Sequence, residues 1–240
     1  MARFLLIHGS CHGAWCWDML ISELEALGHA ARAIDLPGAG DDATPVGQVT
    51  LAAYRDAVVA ALDDGAGPSI LLGHSAGGFP ITAAAEEAPE LVRALVYLCA
   101  YVPKPGQSLV DLRRAAPRQP LMPAVKLAED GKSFTVRPEM REEVFYHDCP
   151  PEARALADAK LRPQPVAPQA TALGPTPRAD RLPRHYIRCT QDRTIPPEYQ
   201  LTLSKDFTSG NVHALNSAHS PFFSQPATLA ALLNTISEAL

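Results

Sequence analysis

Ser75 stands where its hydroxyl is best placed to do chemistry. It lies in Gly73-His74-Ser75-Ala76-Gly77, after the apolar run Ile70-Leu71-Leu72 and before a helix-compatible segment from Phe79 to Glu87. Gly-x-Ser-x-Gly between a strand and a helix is the pattern of a sharp turn that lifts a serine above a sheet. Gly73 and Gly77 suit such a turn because side chains there would collide with neighbouring chain. The helix that follows aims unpaired N–H groups and a partial positive charge at the serine's surroundings. A serine hydroxyl is a poor nucleophile near neutral pH. It needs a base within hydrogen-bond reach and an acid to orient that base.

With this kind of turn the partners come in the chain order Ser, acid, His. Asp192 and His219 fit that order, and each follows a strand-like run. The chain has eight histidines, so His219 has competitors. His29 and His185 precede strands, at the wrong end, and His213 lies within one. His74 is in the turn itself, with its ring expected to point away from Ser75. His147 is a candidate substrate contact, and His8 and His12 lie in the loop after the first strand. Among the acids, Asp35 breaks the order and Asp180 and Asp206 are poorly placed. An oxyanion formed by attack of Ser75 on a carbonyl needs preorganised donors. The Ala76 N–H, at the start of the helix, and the Ser10 N–H, from the first loop, are the candidates; losing one such donor typically costs about 3 kcal/mol of transition-state stabilisation. The Ser10 hydroxyl also has a plain role open to it in a turn.

The elements that must hold these residues follow from hydrophobic pattern. Phe4–Ile7 reads as a strand buried on both faces, and Ala30–Ile34, Ile70–Leu72, Leu95–Cys99, His185–Cys189 and Val212–Leu215 as further short strands. Helices are expected over Ala14–Leu27, Leu51–Leu62 with Thr50 as cap, Ala76–Ala88, Tyr199–Ser204 and Leu229–Leu240. Alternating strands and helices predict an α/β fold: a mostly parallel sheet of about six strands with helices on both faces. Sites in such sheets gather beyond the C-terminal ends of the strands. The rhythm breaks at Val102, where prolines become frequent. A lid inserted over 102–180 into a core of 1–101 and 181–240 is the expected organisation. Within it, 132–136 reads as a hairpin strand, and 141–146 and 151–160 as short helices.

The chain has 240 residues, is 47% apolar and 20% charged, and carries a net charge of −5. It has no basic run, which argues against a nucleic-acid partner or an anionic membrane surface. No apolar stretch approaches the ~18 residues of a membrane span. The first residues lead straight into a strand without a signal-peptide pattern, so a cytoplasmic protein is expected. Five cysteines show no metal-ligand spacing. No metal and no cofactor is expected. Cys11, although near the site, reads as a small buried residue.

These residues resemble the α/β-hydrolase superfamily. Ile7-His8-Gly9-Ser10-Cys11-His12-Gly13-Ala14-Trp15-Cys16-Trp17 resembles the branch that holds the plant methylesterases, of the salicylate-binding type, and the hydroxynitrile lyases. Asp35-Leu36-Pro37-Gly38, Gly73–Gly78, Cys189-Thr190-Gln191-Asp192 and Ala218-His219 also match it. The resemblance implies Ser75, Asp192 and His219 as a catalytic triad, with the Ser10 and Ala76 amides as oxyanion hole. The lyases of this branch have a threonine where Gly9 stands and a lysine directly after the catalytic histidine, where this chain has Ser220. That difference favours hydrolysis of a small, partly apolar carboxylic ester through an acyl-enzyme on Ser75. The alternatives are a lyase, a lactonase or a C–C bond hydrolase on the same scaffold, or a receptor that binds a small molecule without turnover. Gly9 and Phe79 beside the turn, Tyr101, and Leu121, Phe145 and Tyr146 from the lid are the candidates to line the pocket. An exposed lid leaves room for a homodimer.

Overall fold

The computed structural model describes residues 1–240. Four short strands come first: β1 (Arg3–Ile7), β2 (Ala30–Ile34), β3 (Ser69–His74) and β4 (Val92–Leu98). Between them run α1 (Asp18–Ala26), α2 (Leu51–Leu62) and α3 (Gly78–Glu87). The segment between β4 and the next core strand holds α4 (Leu109–Ala115), β5 (Val125–Leu127) and β6 (Ser133–Val136). It continues with α5 (Pro138–Arg141), a π-helical turn over Glu142–Tyr146, α6 (Pro151–Lys160), β7 (Gln164–Pro165) and α7 (Ala167–Ala170). The core closes with β8 (Arg184–Cys189), α8 (Pro197–Leu203), β9 (Val212–Leu215), α9 (Pro221–Ser224) and α10 (Pro226–Glu238).

The main sheet has the order β2-β1-β3-β4-β8-β9, and every neighbouring pair in it is parallel. Alternate residues of its strands face opposite sides. Phe4, Leu6, Ile70 and Leu72 join one buried cluster with α1 and α10. Leu5, Ile7, Leu71 and Leu95 join a second cluster with α2, α3 and α8. Two-sided burial explains why these strands read as unbroken apolar runs. No helix is long and apolar enough to cross a membrane.

The chain leaves β1 for β2 on one side and returns to β3 on the other. That is a switch in winding direction, where loops after adjacent parallel strands part and open a crevice. Ile7 pairs with Gly73, so the loops after β1 and β3 begin side by side. The inserted segment packs over this edge. Its strand β6 forms a hairpin with β5, as expected, and also pairs with β7, so it is the middle of a three-stranded antiparallel sheet, β5-β6-β7. It contributes Phe134, Val136, Val144 and Phe145 to the first cluster and Leu109 and Leu112 to the second.

Several helices start differently from expectation, for local reasons. Ala14–Trp17 is a 3₁₀ turn before α1. Trp15, Cys16 and Trp17 are all buried, and three consecutive residues cannot share one face of an α-helix. Ser75–Gly77 is likewise a 3₁₀ turn, with α3 beginning at Gly78. The last helix starts at Pro226, because proline at the first helical position has its φ already set and no N–H to lose. Thr50 caps α2 as its sequence suggests, its Oγ1 accepting from the Ala53 N–H at 3.0 Å.

Candidate active site

Ser75 directly follows β3 with φ of +54°, a left-handed conformation that a residue with a Cβ rarely adopts. Its flanks are packed against backbone. A Cβ on Gly73 would lie 2.5 Å from the Gly77 carbonyl oxygen, and one on Gly77 would lie 2.7 Å from that of Ile7. The turn is therefore wedged between its own helix and the end of β1. Tyr101 holds it from the far side, its N–H donating to the Ser75 carbonyl at 3.1 Å.

Asp192 follows β8, and the main chain turns around its carboxylate. Oδ1 accepts from the Thr194 and Ile195 amides at 2.6 and 2.9 Å. Oδ2 accepts from Gln200 Nε2 at 2.9 Å and from His219 Nδ1 at 2.7 Å. His219 follows β9, and both side chains are buried. With Nδ1 engaged by Asp192, Nε2 is the nitrogen left to work. His219 lines one small cavity with Ser75, Ser10 and His12, of about 270 Å³ with its mouth included. No direct hydrogen bond joins Ser75 to His219; the pair share this cavity, and such bonds often tighten only when substrate is bound.

The loop after β1 brings Ser10 to the same cavity. Its N–H makes no hydrogen bond within the protein. A second cavity of about 310 Å³ is bounded by Gly9, Ala76, Phe79 and Leu109. Gly9 and Ala76 border this second cavity, and their chain neighbours Ser10 and Ser75 border the first with His219.

A model of the alpha/beta hydrolase family matches residues 4–232. The chain belongs to that family. Pheophorbidase of Raphanus sativus is 33% identical over 246 residues, covering 97% of this chain and 93% of its own. Methylesterase 17 of Arabidopsis thaliana is 30% identical over 255 residues, covering 96% and 90%. Among solved structures, the methylesterase MES16 from Arabidopsis superposes with a TM-score of 0.88 at 28% identity, covering both chains in full.

Not every sequence expectation survives in this hydrolase. The His74 ring does not turn away from the site. It lines the cavity with Ser75, packs 4.5 Å from the His219 ring, and donates from Nε2 to the His219 carbonyl at 2.8 Å. Burial holds its pKa well below that of a free imidazole, so it stays neutral beside His219. Tyr101 and Tyr146 line neither cavity. The Tyr101 ring belongs to the core under α2 and α3, and the residue serves the turn through its backbone. Tyr146 is buried and directs its hydroxyl to His12 Nε2, at 2.6 Å. His147 borders an outer hollow with Asp148 and Arg193. Gly9 and Phe79 border the second cavity, and Leu121 and Phe145 the first, where Phe145 stacks on the His219 ring at 5.8 Å.

The cysteines near the site are poor nucleophiles. Burial pushes the Cys11 thiol up to about 12 and Cys99 well above its ordinary range. His74, Cys99 and His219 each offer one possible metal-ligating atom within 4.8 Å of the others. Two of those side chains already make defined hydrogen bonds, His219 to Asp192 and His74 to the His219 carbonyl. A thiol that holds its proton is also a weak ligand. The cluster reads as packing around His219.

Proposed function

We propose that this hydrolase is a serine esterase, cleaving a carboxylic ester of a small, partly apolar substrate through an acyl-enzyme on Ser75. The observation that carries the proposal is the buried Asp192–His219 bond of 2.7 Å, made by a histidine that shares a cavity with a strained serine. The methylesterases among its relatives support the choice of an ester.

In this reading, His219 Nε2 takes the Ser75 proton as Oγ forms a bond to the ester carbonyl carbon. The Ser10 and Ala76 N–H groups receive the negative oxygen. Collapse of the tetrahedral intermediate breaks the bond to the alcohol oxygen, which leaves with the proton from His219. Water then gives a proton to His219 and attacks the acyl carbon. The acid departs, and Ser75 regains its proton. Asp192 holds the imidazole with Nδ1–H toward itself and stabilises the charged ring between steps.

Because His219 must protonate the leaving oxygen, the alcohol occupies the cavity walled by Leu121 and Phe145. The acyl group enters the cavity beside Gly9 and Phe79. Both spaces are small, which limits each half of the ester. Cyanohydrin cleavage is disfavoured because a positive charge is needed for departing cyanide. Neither Lys nor Arg lines the Ser75 cavity, and the residue after His219 is the buried Ser220.

The experiment is Ser75→Ala assayed on p-nitrophenyl esters of graded chain length. A fall in kcat of about 10³-fold or more, in a protein that still melts cooperatively, is expected. Near-parental turnover would overturn the serine mechanism. Chromatography of products from esters, lactones and cyanohydrins separates the esterase from its rivals on the same scaffold.

A further inference from the structure

Cys11, in the loop that carries Ser10, has φ of +65°. A cysteine in that conformation is strained and needs its surroundings to hold it there. The holding contacts come from the lid. Cys11 N–H donates to Gln164 Oε1 at 3.1 Å, and the Arg162 N–H donates to the Cys11 carbonyl at 3.0 Å. Gln169 Nε2 donates to Ser10 Oγ at 2.7 Å. Tyr146, in the π-helical turn, donates to His12 Nε2 at 2.6 Å.

The last contact has a defined polarity. His12 Nδ1 lies 2.8 Å from the Ser10 carbonyl oxygen, which can only accept, so Nδ1 carries the proton and Nε2 accepts. Burial pushes the His12 pKa down to about 3 and that of the Tyr146 hydroxyl well up, so both stay neutral at ordinary pH. The chain therefore runs one way: Tyr146 hydroxyl to His12, His12 to the Ser10 carbonyl. The peptide plane between Ser10 and Cys11 is gripped at both ends, its oxygen by His12 and its N–H by Gln164. Ser10 N–H, on the adjoining peptide, is left free.

We propose that Tyr146 is a positioning residue for the oxyanion hole. Through His12 it fixes the Ser10–Cys11 peptide and so aims the Ser10 N–H, and the lid thereby completes the hole as well as covering the cavity. The proposal rests on the reading of Ser75 as nucleophile and the Ser10 N–H as oxyanion donor.

Tyr146→Phe keeps the ring and removes only the hydroxyl. On p-nitrophenyl acetate, kcat should fall about tenfold with KM changed less than twofold, since a small misplacement of a donor penalises the transition state and not the ground state. Affinity for an aryl trifluoromethyl ketone, which adds to a serine and forms a tetrahedral oxyanion, should fall by the same factor. Affinity for the corresponding methyl ketone should not change. Tyr97→Phe, which removes a buried hydroxyl bonded to Thr82 Oγ1 at 2.7 Å away from the cavities, is the control and should lower the melting temperature alone. Unchanged kcat and unchanged trifluoromethyl ketone affinity in Tyr146→Phe would overturn the proposal.

A second pair of variants covers the case in which Tyr146→Phe does not fold. His12→Asn can still donate to the Ser10 carbonyl from an amide placed like Nδ1, whereas His12→Leu cannot. The Asn variant should retain about tenfold more kcat than the Leu variant, and equal values would overturn the proposal. Failure of the underlying reading looks different: the parent itself would then bind the trifluoromethyl ketone no better than the methyl ketone.

Discussion

Asp192→Asn tests the core of the site, because the four hydrogen bonds around this side chain leave an amide no good orientation. All four partners donate to the carboxylate: two amides to Oδ1, and Gln200 Nε2 and His219 Nδ1 to Oδ2. An asparagine has one acceptor oxygen and one NH₂ donor. If the NH₂ takes the Oδ1 place, it opposes two backbone N–H groups, and two buried donor pairs clash. If it takes the Oδ2 place, only Gln200 is opposed, because His219 can respond by moving its proton from Nδ1 to Nε2. Gln200 cannot easily flip, since its Oε1 accepts from the Cys189 N–H at 2.9 Å and its Nε2 also donates to the Ile195 carbonyl at 2.8 Å. The second arrangement spares one unsatisfied buried pair, worth about 1–3 kcal/mol, and should dominate. It leaves His219 with a protonated Nε2, unable to accept from Ser75. Loss of the right tautomer in a serine–histidine–aspartate site is worth about 10⁴ in kcat, or roughly 5.5 kcal/mol of barrier. The assay is kcat on a p-nitrophenyl ester, with thermal unfolding alongside. The expected variant is folded, destabilised by about 1–3 kcal/mol, and slower by about 10³–10⁴. A folded variant that kept more than about a tenth of the parental kcat would refute the assignment of Asp192 as the orienting acid.

Three further outcomes follow from the same geometry. Ser75→Gly should be inactive but more stable than Ser75→Ala by about 1 kcal/mol, because glycine adopts φ near +54° without strain; urea unfolding of the two inactive variants makes the comparison. His8, His12 and His74 are held neutral by burial, with folded-state pKa values depressed below those of the unfolded chain. The unfolded state therefore binds protons first, and the stability they lend is present above the ordinary histidine pKa and lost as pH falls. Each contributes a slope of up to about 1.4 kcal/mol per pH unit, for His12 from near 6.5 down to about 3; His12→Asn should flatten the acid limb of a stability–pH curve, and an unchanged limb would contradict this. Phe145→Ala should widen the cavity at His219 and raise kcat/KM for esters of bulkier alcohols relative to methyl esters by about 10-fold or more. The same change should lower stability by about 3–5 kcal/mol, because Phe145 is part of the buried cluster.

The parts of the site that could be read from sequence are those a short local pattern specifies. Ser75, Asp192 and His219 each come soon after a strand-like run, so their edge of the sheet followed from strand count and parallel winding. The Ser10 loop was readable for the same reason, since it follows β1, the neighbour of β3. What was not readable is contact across long separations. His74 was expected to turn its ring away from Ser75; its place in the site comes from the loop 145 residues later, whose carbonyl accepts a hydrogen bond from its Nε2. Tyr146 was one of the candidates to line the pocket. A π-helical turn has no distinctive sequence pattern, so nothing local said that its hydroxyl would turn toward His12, 134 residues earlier. Tyr101 was misread likewise: its backbone reaches the turn, while its ring goes to the core.

The backbone gives a reason why so much of the chain converges here. Cys11, Ser75 and Cys99 are the non-glycine residues with positive φ, and they follow β1, β3 and β4, three adjacent strands. Strain of about 1–3 kcal/mol at each persists only where surroundings over-determine the conformation. Those surroundings are visible for all three. Ser75 is wedged by the backbone at Ile7 and tied by the Tyr101 N–H. Cys99 donates its N–H to the Ile187 carbonyl at 2.8 Å, and its sulfur lies 3.5 Å from the His219 carbonyl oxygen. Cys11 is held by Arg162 and Gln164. The first two are fixed by the core sheet and its own loops, and the third by the lid. The proposed nucleophile and base therefore depend on the sheet, whereas the geometry of the proposed oxyanion loop depends on the inserted segment. A change of lid sequence that altered substrate choice would also disturb the donor at Ser10 unless the contacts from Tyr146, Arg162, Gln164 and Gln169 were kept.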